Sequence, residues 1–325
     1  MPKKIKNQFV DPVFSLSDDD FDSLLTAIDL RIDKARYGFT SFEEAALFYG
    51  REPVCPECGS NSYFKEGTTN AGRIRYRCKD CDNTYILLAD SIFNSAKISL
   101  HKLMNYIQLM SFNVPLDLLC EVLGISKNTA ELWRKKIFET VNGYQDHLVL
   151  SDTIFIDETY LEDYEVEVIS KGKHLRGLSK SKICIVVAID NHKNMVAIIS
   201  GHGKPSSKRI IDALKAHIKE GSHIIHDGDH SHYKLIKELH CSENIYKANC
   251  KDIEYLEHMA LINNMCSWLK RYIRRFLGMD LNNLQSYLNW FIYLQRVKQY
   301  DEVWPKKERI LRHLVLSRTR FIRKY

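Results

Sequence analysis

No run of apolar residues in this 325-residue chain is long enough to cross a membrane as a helix. Its opening stretch, Met1–Val10, is crowded with Lys3, Lys4, Lys6, Asn7 and Gln8, and lacks the apolar core of an export signal. Nine cysteines is an odd number, and without an export signal it argues against a disulfide framework and for thiol or metal chemistry. Positive charge is also missing from most of the chain. Pro305–Tyr325 holds eight Lys or Arg against one Glu, which leaves 39 basic and 40 acidic residues elsewhere and places the whole net charge of +6 in that segment. These absences exclude a membrane protein and a secreted disulfide scaffold. They predict a cytoplasmic protein with a basic C-terminal tail over 301–325 suited to polyanions. Hydrophobic content of 45% with 27% charged residues is that of a folded protein, and the length suits two or three domains.

The most informative stretch is Thr153–Leu161, TIFIDETYL, an apolar β-branched run that reads as a buried strand ending on Asp157 and Glu158. Strand alternation puts Ile154 and Ile156 on one face and Phe155 with Asp157 on the other. Alone, a strand-end Asp caps a turn. A second strand of the same shape, Ser222–Gly228 (SHIIHDG), ends on Asp227 and a glycine. Between them, Lys182–Asn191 and Asn194–Gly201 read as a hairpin, and Ser206–Ile218 as a capped helix. Ser231–Leu239 reads as a short helix and Asn244–Ala248 as a fifth strand. A long helix over about Tyr255–Phe276 carries Asn263 and Lys270 seven positions apart, on one face. The order predicts a mixed sheet flanked by helices, in an α+β multidomain chain.

Upstream, Asp18–Asp20 and Asp22 open an amphipathic helix to about Ala35, and Ser41–Tyr49 is a second helix entered from a serine cap. Cys55-x-x-Cys58 and Cys78-x-x-Cys81 have the spacing of two thiolate turns that close a tetrahedral structural zinc site, with no position left for water. Arg73, Arg75 and Arg77 alternate with bulky residues as a zinc-ribbon strand would, and offer phosphate contacts. Cys120, Cys184, Cys241, Cys250 and Cys266 are scattered and read as small buried hydrophobes. Within 97–145, a helix, a turn at Gly124, a cap at Ser126 and a second helix give a helix-turn-helix pattern. Its second helix presents Lys127, Asn128, Arg134 and Lys135 to a major groove; the alternative is an ordinary helical hairpin with Leu118, Val122, Leu132 and Ile137 as its core and the basic residues solvated.

Taken together, IDETY at Asp157, RGLSKSKICIVVAID, HDG at Asp227, and His258-x-x-x-Ile262-Asn263 followed by Ser267-Trp268-Leu269-Lys270 resemble bacterial insertion-sequence transposases. The resemblance runs from about Ser41 to Tyr300. It implies a ribonuclease-H-like catalytic domain over 150–300, a zinc ribbon over 51–90 and a helical segment over 1–50. It further implies Asp157 and Asp227 as Mg²⁺ or Mn²⁺ ligands, Asn263 as the third ligand where many relatives carry glutamate, and Lys270 as the accompanying lysine. Lys270 with Arg271 and Arg274 would then neutralise phosphate. The activity implied is cleavage at transposon ends and strand transfer into target DNA, by a nucleoid-associated homodimer or higher oligomer. Two rivals stand beside it. One is a catalytically inactive, transposase-derived DNA-binding protein. The other is a metal phosphohydrolase built on His223, His226, Asp227, Asp229, His230 and His232.

Overall fold

The structure, a computed structural model, describes residues 10–163, 182–249, 251–276, 279–299 and 306–322. Residues 176–181 of the RGLSKS motif, Cys250, and both ends of Pro305–Tyr325 lie outside the described residues. The chain forms two compact units, Met1–Phe112 with Trp304–Tyr325, and Asn113–Val303. No helix among the described residues is long and apolar enough to cross a membrane.

The first unit begins with α1 (Val10–Phe14), α2 (Asp18–Tyr37) and α3 (Phe42–Phe48). Ser17 caps α2 by accepting the Asp20 N–H at 3.2 Å, and Gly38 ends it in the left-handed region at φ 82°. Ser41 caps α3 in the same way. An antiparallel sheet follows, β1 (Tyr63–Thr68), β2 (Ile74–Cys78) and β3 (Thr84–Ile86), and then α4 (Leu100–Ser111).

In the second unit, α5 (Leu116–Leu123) and α6 (Lys127–Glu139) meet at Gly124, and Ser126 caps α6. The core between them differs from the expected one. Leu119, Trp133 and Ile137 are buried, whereas Leu118 and Val122 point outward. The remaining elements are β4 (Thr153–Glu162), β5 (Lys182–Asp190), β6 (Met195–His202), α7 (Ser207–Leu214), β7 (His223–His226), α8 (Tyr233–Glu238) and β8 (Ser242–Ile245). They are followed by α9 (Ile253–His258), α10 (Ala260–Ile273) and α11 (Leu284–Gln299). The sheet order is β6-β5-β4-β7-β8, with β5 antiparallel to both neighbours and β7 and β8 parallel to β4. This is the ribonuclease-H-like arrangement. Ile154 and Ile156 face a core shared with Ile210 and Leu214 of α7 and Leu235 and Ile236 of α8. The opposite face is covered by α10 and α11. The single helix expected over Tyr255–Phe276 is two, because Met259 caps the end of one and the start of the next.

The chain then returns to the first unit as α12 (Lys306–Leu316). The segment expected as a basic tail is therefore anchored. Ile310, Leu311, Leu314 and Val315 are buried, and the buried Arg51 guanidinium donates to the carbonyls of Val315 at 2.7 Å and Ser317 at 2.9 Å. Arg51 also pairs with Asp90. A charge count cannot register this, since the cations of α12 ride on the other side of an i, i+4 apolar stripe.

Candidate functional site

Two side-chain clusters stand out, one in each unit. In the first, Cys55 and Cys78 each open a knuckle. Gly59 N–H closes back on the Cys55 carbonyl at 2.9 Å, and Asp82 N–H on the Cys78 carbonyl at 3.2 Å. Both closing residues have positive φ, 74° at Gly59 and 63° at Asp82, so the turns are built alike. The Sγ atoms of Cys55 and Cys81 are 3.5 Å apart, as are those of Cys58 and Cys78, and all four gather within 4.8 Å. A zinc ion with bonds of about 2.3 Å fits such a tetrahedron. The protonation balance also favours a cation. Burial opposes ionisation of Cys55 and Cys78, yet the backbone N–H groups of their own knuckles hold both thiols below the ordinary value. Cys58 and Cys81 are raised by their cysteine neighbours, against the N–H groups of Ser60 and Asn83. A dication would let all four ionise. Of the three ribbon arginines, Arg73 pairs with Glu43 at 3.1 Å and Arg77 with Glu66 at 3.2 Å and with Asp82. Among the described residues Arg75 donates only to the Glu66 carbonyl, at 3.2 Å, which makes it the best placed of the three to meet a phosphate.

The second cluster sits where β7 ends beside the middle of β4, which runs on to Glu162 instead of stopping at Asp157 and Glu158 as expected. Parallel pairing aligns Phe155 with Ile225, and continuing that register two steps carries Asp157, midway along β4, to Asp227, just past the end of β7. Asp157 accepts the Glu158 N–H at 2.8 Å, and Asp227 accepts the Asp229 N–H at 2.9 Å. Burial, together with the charges of Glu158 and Asp227, pushes the Asp157 carboxyl up to about 6. The site is thus short of positive charge and supplies hard oxygen donors, the setting that a Mg²⁺ or Mn²⁺ ion fits. Gly228 has φ 86°, and a Cβ there would meet the Ile245 Cγ2 at 2.8 Å, so the turn after Asp227 requires glycine on both counts.

Helix α10 lies across β4 and β5. Cys266 is buried on this helix, and burial and the charge of Asp157 both raise its thiol, while Lys270 pulls the other way. Asn263 and Lys270 lie three residues before and four after Cys266, so all three share the face toward Asp157. Asn263 Nδ2 donates to the Tyr255 hydroxyl at 3.4 Å. Glu254 and Glu257, on the separate α9, are exposed. Arg271 and Arg274 are exposed as well, on the outer side of α10 and just beyond its end.

Glu158 points to the other face of β4 and finds His232, which sequence reasoning had grouped only as part of a histidine-rich turn. Four groups, buried His226 and His232, half-buried Glu158 and exposed Glu243, form one string. Glu243 Oε2 lies 3.0 Å from His226 Nε2, His226 Nδ1 lies 3.0 Å from His232 Nδ1, and His232 Nε2 lies 2.7 Å from Glu158 Oε1. The Gly228 N–H donates to His226 Nδ1 at 3.2 Å, which makes that nitrogen an acceptor. His226 then donates to Glu243 through Nε2–H, and His232 donates from both nitrogens. The titration directions agree. Burial lowers His226. For His232, burial is outweighed by the hydrogen bond and charge of Glu158 and by the charges of Asp227 and Asp229, and the group is raised. His226, Asp227 and His232 lie close enough for a metal trio, but both Nδ1 atoms are engaged in this string. His223 is turned to Ser242 at 2.8 Å, and Asp229 pairs with Lys204 at 2.7 Å. The geometry favours a rigid scaffold under Asp227 over a phosphohydrolase centre.

Removing one partner of that buried pair should be costly. His232→Phe is expected to destabilise the second unit by about 3–5 kcal/mol, and Glu158→Gln, which keeps an acceptor for His232, by less. Denaturant unfolding read by near-ultraviolet dichroism measures both. Equal costs would show that the pair's charge plays no part.

Arg134, expected to reach DNA, is buried with its guanidinium 5.4 Å from the centre of the Phe276 ring. It fastens α6 to the body of the unit and is not available to a groove. Lys127, Asn128 and Lys135 are exposed, and Lys127 is 3.4 Å from Asp117.

Residues 149–295 match the model of the ISXO2-like transposase domain. No curated protein sequence matches the chain. Among solved structures, similarity extends to the simian T-cell lymphotropic virus intasome in complex with PP2A regulatory subunit B56 gamma. That match has 12% identity, a TM-score of 0.31, and covers 64% of this chain and 74% of that one. The Mos1 transposase paired-end complex with left transposon end is 12% identical with a TM-score of 0.28, covering 66% of this chain and 74% of that one.

Proposed function

Through residues 149–295 the chain belongs to the ISXO2-like transposases, and from that premise we propose that it binds the terminal repeats of its element, cuts there, and joins the freed 3′-hydroxyl to target DNA. The observation that supports this reading is the register of β4 and β7, which carries Asp157, midway along β4, to Asp227 just past β7, under the helix α10 that bears Asn263 and Lys270. Asp157, Asp227 and the Asn263 amide oxygen would hold Mg²⁺ or Mn²⁺. When bound, two such ions supply Lewis-acid stabilisation of the attacking and leaving oxygens of an in-line displacement at phosphorus. Lys270 neutralises the scissile phosphate, and Arg271 and Arg274 hold the flanking backbone. The string from Glu158 to Glu243 keeps the Asp227 turn in place. Zinc in the four-cysteine cluster is structural, and Arg75 and the exposed cations of α6 contact DNA. The direct test is Mg²⁺- or Mn²⁺-dependent nicking of DNA that carries the element's own ends; binding without nicking would leave a DNA-binding protein with no catalysis.

The two neighbours on α6 should separate cleanly. Lys135→Ala is expected to weaken DNA binding and reduce the slope of affinity against salt by about 1. Arg134→Ala is expected to lower stability by about 1–2 kcal/mol through lost stacking and packing. Binding titrations at several salt concentrations, beside denaturant unfolding, decide the assignment. A reduced salt slope for Arg134→Ala with unchanged stability would return that residue to the interface.

A further inference from the structure

Asn263 differs from Asp157 and Asp227 in having a side chain with two unlike ends. Its Oδ1 can meet a cation, whereas the Nδ2 group is a donor only and repels one. A carboxylate coordinates through either oxygen, so a neutral amide in this position needs a neighbour that settles which end faces the metal. Tyr255 is placed to do so. Its hydroxyl, on α9, accepts from Asn263 Nδ2 on α10 at 3.4 Å. Among the described residues Asn263 Oδ1 has no hydrogen-bond donor, so the planar amide spends its NH₂ end on Tyr255 and keeps its oxygen free. Tyr255 is in turn tied to the edge of the sheet that bears Asp227. His258, three residues after Tyr255 and on the same face of α9, stacks on Tyr246 with ring centroids 4.3 Å and planes 15° apart. Tyr246 directly follows β8, and its N–H donates at 3.0 Å to the carbonyl of His226, the residue before Asp227. One continuous path thus runs from the Asp227 turn through a ring stack to the group that holds the Asn263 amide.

Resting on the reading of Asn263 as the third metal ligand, we propose that Tyr255 is a positioning residue whose hydroxyl fixes the Asn263 amide with its oxygen toward the metal. Without that acceptor the NH₂ end loses its partner, and either end of the amide can turn to the site. Hydrogen bonds of this kind, made by groups that touch a ligand and not the metal, typically change metal affinity or activity 10–100-fold when removed. A bond that only fastens α9 to α10 would act differently: its loss would be felt equally whatever side chain stands at position 263. Orientation matters to an amide and not to a carboxylate. This difference supplies the test.

The full chain, purified with zinc and free of DNA, is titrated with Mn²⁺, and the unbound ion is followed by its electron paramagnetic resonance signal, with Asp157→Ala protein as the background. Tyr255→Phe, which removes the hydroxyl and keeps the ring, should weaken Mn²⁺ binding by about 10-fold, with zinc content and helical dichroism unchanged. Asn263→Ala should weaken it at least as much. In an Asn263→Asp background, adding Tyr255→Phe should leave Mn²⁺ affinity where Asn263→Asp alone puts it. Metal-dependent cleavage of end-bearing DNA should follow the same order across the set. If Tyr255→Phe binds Mn²⁺ like the parent while Asn263→Ala binds it weakly, the ligand reading stands and the proposal is overturned. An equal loss from Tyr255→Phe in both backgrounds also overturns it, because the hydroxyl would then serve packing alone. If Asn263→Ala binds Mn²⁺ like the parent, Asn263 is no ligand, and the role of Tyr255 falls with it.

Discussion

Asp157→Ala and Asp227→Ala are each expected to lose metal-dependent cleavage by on the order of 10³-fold or more while still binding transposon ends, because each removes several kcal/mol of cation-mediated stabilisation. Their side-by-side register makes the two effects comparable. Asn263→Ala should also cut poorly, whereas Asn263→Asp or Asn263→Glu should keep some activity, since each still offers an oxygen to the metal. The exposed Glu254 and Glu257 of α9 are the competitors weighed for the role of Asn263. Cleavage of an end-labelled duplex, with binding measured in parallel, separates the cases. If Asn263→Ala cuts like the parent and Glu254→Ala or Glu257→Ala is dead, the third ligand belongs on α9.

Stripping the metal from the four-cysteine cluster should have an effect as large, on folding and not on chemistry. Structural zinc sites contribute about 10–16 kcal/mol of apparent binding free energy, as much as the entire stability of a typical domain. One tightly held zinc per chain is expected. Its removal by chelation, or the Cys78→Ser change, should unfold the ribbon and leave the ribonuclease-H-like sheet intact. Metal analysis of protein purified without chelator, followed by unfolding with probes in each unit, measures this. Protein that holds no zinc and is equally stable would refute the assignment.

What could be read from the residues alone followed from how local each signal is. The end of β7 just before Asp227 was legible because an apolar run stops there on an acid and a glycine, but the strand expected to end on Asp157 and Glu158 runs on to Glu162, held by its pairing with β5, and Asp157 lies midway along it. The cysteine pairs were legible because a metal-binding knuckle is four residues long. Serine caps at Ser41 and Ser126 marked helix starts that the structure bears out. The misreadings concern partners distant in sequence. Arg134 looks like a DNA contact until Phe276 is known to lie beneath it. Glu158 looks like a spare acid until His232 arrives from 74 residues away. Cys266 was read as filler, which its burial supports, but the charge of Asp157 that acts on its thiol has no trace in local pattern. The break at Met259 carries no proline or glycine to announce it.

The return of α12 to the first unit imposes an order in time. Arg51 is made early, but the carbonyls of Val315 and Ser317 that satisfy it leave the ribosome only after residues 113–303 have been synthesised. At about 5–20 residues per second that interval lasts on the order of ten seconds or more. During it the cysteine knuckles can close, while the surface that receives Ile310, Leu311, Leu314 and Val315 stays open to water and to other nascent chains. A premature stop between Arg274 and α12 would therefore preserve every residue assigned to chemistry and still leave the N-terminal unit unfinished, with a buried guanidinium short of acceptors. Translation that runs through α12 is what completes this unit.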